Sequence, residues 1–213
     1  MRRAMPLVLM RPTVVLVALI IALALVVVAS AISPKPADAA TRVVTKTFSS
    51  AQPITMPSVG TATPYPAEKN SNFSVRRKIV DVNLTLKNFN HQFSDDADVM
   101  LSYRGLNRTV FSDVGGNNPA NNITIKLDDE ATTLLPDETA PTGGTFKPAN
   151  FANFGADIFP SPAPAQSGLV RLSGFDGKRA DGTWRLWVTD DTAGGTPAEI
   201  TGGWSVTIKA KVV

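Results

Sequence analysis

At 213 residues the chain has room for one well-buried domain and not for two large ones. It contains no cysteine, which excludes disulfides, zinc-thiolate centres and cysteine nucleophiles, and suits an exported bacterial protein better than a eukaryotic secreted one. The formal net charge is +3, but residues 1–39 hold four of the 21 basic residues and one of the 18 acidic ones; the remainder is neutral overall, so nucleic-acid binding has no electrostatic support.

In the leader, Arg2, Arg3 and Arg11 precede an uncharged run over residues 13–33, followed by Pro34, Pro36 and the small-residue stretch Ala37-Asp38-Ala39. A charged start, an apolar centre and an A-x-A site predict a signal-peptide helix over 1–39. Cleavage after Ala39 or after Ala31 fits, and so does retention as a signal anchor, because the run is about as long as a bilayer span requires. Each alternative puts the rest of the chain outside the cytoplasm, secreted or at the cell surface, with membrane contact only through this segment. The expected division is signal over 1–39, an N-terminal strand and lead-in over 40–72, and a β-sandwich core over 73–213.

From Val43 onward, short alternating runs are separated by Gly, Pro, Asn and Asp, the pattern of an all-β sandwich, and no ten-residue helical period stands out. IVDVNLTLK (79–87) predicts a half-buried strand with Val80, Val82, Leu84 and Leu86 on one face. DVMLSY (98–103) groups Val99, Leu101 and Tyr103, and NITIKLD (122–128) groups Ile123, Ile125 and Leu127. Residues 135–167, rich in Pro, Gly, Asn and Ala, predict a long ordered connection across one end, too irregular to join a sheet. In FDGKRADGTWRLWVTDD (175–191), Asp181-Gly182 is a turn that launches a strand with Trp184, Leu186 and Val188 inward and Trp187 outward. GWSVTIKAKV (203–212) closes the sheet with Trp204, Val206, Ile208 and Ala210 inward.

The chemistry available is narrow. His91 is the single histidine, lies in NFNHQFSDDAD between two strands, and is not accompanied by a G-x-S-x-G elbow, so a turn-holding role outweighs that of a catalytic base. Carboxylates gather at strand ends in three clusters: Asp95, Asp96 and Asp98; Asp128, Asp129 and Glu130; Asp190 and Asp191. Hard oxygen ligands of this kind suit calcium, and Asp98, Asp190 and Asp191 are the candidate metal ligands; acidic residues are equally ordinary turn formers, and both readings stand. Trp187, facing away from the core, is the candidate ligand contact for an extracellular protein or a glycan. The N-x-S/T triplets at Asn72, Asn83, Asn107 and Asn122 read as coincidental.

Several stretches together carry a family resemblance: residues 48–66, VDVNLTLKNFNHQFSDDADVMLSY, ITIKLDDEA, GTFKP, and LSGFDGKRADGTWRLWVTDDTAGGTPAEITGGWSVTI. They resemble the P domain, or P/Homo B domain, of subtilisin-like proprotein convertases, and more closely the stand-alone copies of secreted bacterial proteins. The resemblance implies a jelly-roll β-sandwich of antiparallel strands, galactose-binding-like in architecture, that accompanies a serine protease and supports its folding and stability. The family's motif positions fall on His91 and Asp98, on Phe175 and Gly177, on Gly182, Trp184, Leu186, Val188 and Asp190, and on Gly203 and Trp204. One departure is the turn Ser102-Tyr103-Arg104-Gly105-Leu106, where the family has Ser-Pro-x-Gly-Thr. Another is that the triad segments of subtilases do not occur in these residues, so no catalytic residue is expected. The expected function is a non-catalytic module that binds or stabilises an extracellular partner, accessory to a separate subtilisin-like protease; the alternative is a cell-surface adhesion or glycan-binding sandwich.

Overall fold

The computed structural model describes residues 42–151 and 157–212, which belong to one compact unit. The expected signal segment lies outside the described residues. Among those described, no helix is long and apolar enough to cross a membrane.

Among the described residues, thirteen strands follow in chain order: β1 (Val43–Ser50), β2 (Ile54–Met56), β3 (Gly60–Thr61), β4 (Ala67–Ser71), β5 (Arg77–His91), β6 (Ala97–Tyr103), β7 (Leu106–Ser112), β8 (Ala120–Leu127), β9 (Gly144–Phe146), β10 (Ala149–Asn150), β11 (Gly182–Asp190), β12 (Ala198–Ile200) and β13 (Trp204–Val212). Seven form one sheet, built on β5, which pairs with β13 and β12 along one edge and β8 along the other; β1 flanks β13, β2 flanks β12 and β9 flanks β8. The other sheet runs β10-β7-β6-β11, with β3 and β4 both on the far side of β11. The chain crosses between the sheets after β2, β4, β5, β7, β9 and β11, giving the expected jelly-roll-like β-sandwich.

The inner faces meet in one apolar cluster that contains Val82, Leu84, Leu86, Val99, Leu101, Tyr103, Trp184, Leu186, Val188, Trp204, Val206, Ile208 and Ala210. Period-2 alternation therefore placed most of the core correctly. It fails at Val80. The register of β5 on β13 slips between Lys209 and Ala210, so one residue of β5 is extra, and Ile79 takes the core position expected for Val80. A second irregularity between Leu86 and Phe89, with Asn88 at φ 55°, turns Phe89 inward beside Phe111.

Residues 135–167 are not wholly outside the sheets. β9 pairs with β8 and β10 with β7, both in parallel, which also makes the sandwich less uniformly antiparallel than expected. The departing turn after β6 is a two-residue hairpin with φ 50° at Arg104 and 77° at Gly105, the pattern of a type I′ turn. Arg104 lies over the Tyr103 ring at 5.5 Å and donates from Nε to its hydroxyl, which holds a non-glycine residue in that conformation.

Candidate functional site

β11 runs the length of its sheet and joins two ends of different character. At its start, Trp184 stacks on Tyr103 with ring centroids 3.9 Å apart and an interplanar angle of 5°. Phe175 closes on the Trp184 ring edge to face at 5.2 Å. The Trp184 indole donates to Ser71 Oγ, whose hydroxyl donates to the Ala180 carbonyl, and the Tyr103 hydroxyl donates to the Arg179 carbonyl. Gly177, at φ 75°, donates its N–H to the Ile79 carbonyl, so the turn after Phe175 is tied to β5. Gly203 is required by proximity: a Cβ there would strike the Ser50 carbonyl oxygen. These motif residues pack and pin; none of them faces an open cleft.

At the other end of β11 the residues are acidic. A 3-10 turn over Ser94–Asp96 leads into β6, and the Asp191 N–H donates to the Asp96 carbonyl, fastening the exit of β11 to that turn. His91, the last residue of β5, and Asp190, the last of β11, are both buried, with Nε2 and Oδ2 3.2 Å apart. His91 Nδ1 accepts the Phe93 N–H, so a neutral ring carries its proton on Nε2; neither Nε2 nor Asp190 Oδ2 has a well-aligned hydrogen bond. Burial holds the imidazole below its ordinary value, against the pull of Asp190, and burial raises the Asp190 carboxyl. The arrangement holds a turn, and the described residues place no nucleophile on this imidazole.

Asp190 thus faces His91 inside the seam. Asp191 is exposed beside an open cleft of about 420 Å³ that Asp95, Asp96, Asp113 and Glu138 also line. Asp98 lies on the outer face of β6 and is only 2% exposed. Burial, reinforced by Asp190, Asp191 and Asp95, pushes Asp96 up to about 6. Among the described residues, no group of three His, Cys, Asp or Glu side chains stands ready as a metal centre.

Trp187 faces away from Trp184, as alternation requires, yet is 4% exposed. Tyr65 meets it edge to face at 5.0 Å, Met100 and Phe159 pack with it in a second small cluster, and its indole donates to Ser102 Oγ. The expected surface ring for a glycan or protein is therefore covered. Its cover comes from two distant segments, one before β4 and one after β10, and no local pattern announces it.

The fold and the acidic end define an all-β sandwich module with a packed aromatic end and a carboxylate-rich one. No protein-family model matches the chain, and no curated protein does. Among solved structures, the complex of Aeromonas sobria serine protease and its chaperone ORF2 is similar at 15% identity over 81% of this chain, with a TM-score of 0.34. This chain covers 28% of the chain it matches there.

Proposed function

We propose that the chain is an exported, non-catalytic, P-domain-like module that binds or stabilises an extracellular partner, as an accessory to a separate subtilisin-like serine protease. One observation carries the reading. Of the residues on which the family resemblance rests, Phe175, Trp184, Leu186, Val188, Trp204 and His91 are buried and Gly177 supports a turn tied to β5, as expected of a module whose family role is structural. Binding would then fall to the module's surface, and catalysis to another chain.

The test is co-expression with a subtilisin-like serine protease from the same source. The reading expects a higher yield of active protease and crosslinks between the two chains; unchanged yield without crosslinks to the protease would remove it. Export is checked separately by N-terminal sequencing of protein from the medium, where Ala40 is the expected first residue.

A further inference from the structure

β7 carries an arginine where the strand faces the core. Arg108 pairs with Leu101 of β6, Leu101 lies in the central apolar cluster, and directly paired residues share a face, so the Arg108 side chain starts inward. It is 7% exposed. Its guanidinium lies 5.4 Å from the centre of the Phe175 ring, with Nε donating to the Arg171 carbonyl and Nη1 to that of Asn107. Nη2 meets no acceptor among the described residues, and no carboxylate among them forms an ion pair with this side chain. Asp129 is the carboxylate that acts on it, but both Asp129 oxygens are taken by the Leu172 and Ser173 N–H groups. A buried cation without a counter-ion is costly, and burial holds this one below its ordinary value.

The guanidinium borders a cleft of about 450 Å³ that opens against residues 168–174. Arg108 and Arg171 both line it, together with Leu169 and Val170, and among the described residues no acidic one does. Leu169 is 55% exposed, so open apolar surface lies beside the two cations. Gly174 is required here, because a Cβ on it would strike the Arg108 guanidinium. A second cleft, of about 490 Å³, shares Val170, Arg171 and Ser173 with the first and continues past Phe151 to Leu134. Asp129 and Glu130 line only this second part.

A guanidinium fork held in place by two carbonyls, with Nη2 left over, matches the oxygens of a carboxylate. Leu169 and Val170 ask in addition for an apolar group next to that anion. In the last residue of a polypeptide the carboxylate and the side chain leave the same carbon atom, which meets both demands at once; a free phosphate brings no apolar part. We propose that the two clefts form one groove for the C-terminus of an extended protein segment, its carboxylate on Arg108 and Arg171, its last side chain apolar and against Leu169 and Val170, and its preceding residues along the second cleft. This gives a chemistry to the partner surface of the module proposed above and rests on that reading only for who the natural partner is; the partner need not be a protease.

The experiment titrates the purified chain, by fluorescence anisotropy, against a fluorescein-labelled six-residue peptide ending in leucine. Three forms are compared: the free acid, the C-terminal amide, and an amide with a glutamate beside the leucine. The free acid is expected to bind at least ~10-fold more tightly than either amide. Arg171→Gln, at an exposed position, should weaken the free acid ~10-fold with the melting temperature unchanged, which separates a lost contact from a lost fold. Arg108→Lys should weaken it as well, since an ammonium keeps the charge and loses the fork. The proposal is overturned if the free acid does not bind at millimolar concentration, if the plain amide binds equally well, or if Arg171→Gln keeps full affinity. It is overturned too if the glutamate peptide matches the free acid, which would assign the groove to acidic side chains. Because synthetic peptides are used, each of these failures leaves the co-expression result with the protease standing.

Discussion

His91 and Asp190 show how a polar pair can be held inside the seam of a sandwich. Each ends a strand, each is buried, and His91 Nε2 stands 3.2 Å from Asp190 Oδ2. Removing one partner leaves a buried polar group unsatisfied, which generally costs about 1–3 kcal/mol. His91→Ala and Asp190→Ala are therefore each expected to destabilise by about 1–3 kcal/mol in urea denaturation. The double variant should cost clearly less than the two together, since it leaves no orphan. Additive losses would mean that the two side chains support the turn separately. Asp190→Asn, which keeps an acceptor facing Nε2, should be the mildest of the three.

At the level of elements, the sheet built on β5 has a well-defined middle. β13 is flanked by β1 over residues 204–211 and by β5 on its other side, whereas β9 and β10 are three and two residues long and lie at sheet edges. Native-state hydrogen exchange should find the slowest amides in β5 and β13, over residues 82–86 and 204–208, and the fastest strand amides in β9 and β10. Equal protection of β9 and β13 would refute this ranking. The same contrast explains which elements were legible in the sequence. β13 and most of β11 alternate because one face of each is fixed in the core, so Trp204, Val206, Leu186 and Val188 could be placed at once. Val80 could not, because a bulge is set by the partner strand and not by the residues that bulge. β9 and β10 are too short for any period, and their parallel partners lie far away in the chain. The acidic corner was legible as residue types only. Asp98 and Asp191 stood out in runs, whereas Asp113 and Asp157 are single residues outside the strands and Asn150 ends the two-residue β10, placed only by its pairing with β7.

Across the whole molecule, β6 and β11 are the rods that separate the aromatic end from the acidic one. Trp184 and Asp190 are six residues apart on β11, which at about 3.3 Å per residue sets the two ends roughly 20 Å from each other. The aromatic end gains its stability from contact area and ring geometry, neither of which depends on an ion. Truncating a buried aromatic of this size generally costs about 3–5 kcal/mol, so Trp184→Ala should fall in that range with or without calcium. Sites this far apart without shared partners add to within about 0.5 kcal/mol. Trp184→Phe combined with Asp98→Asn should therefore show the sum of the single effects. A coupling above about 1 kcal/mol, read from urea denaturation of the four proteins, would mean that the second sheet transmits strain along β6 and β11, and that the ends act as one site.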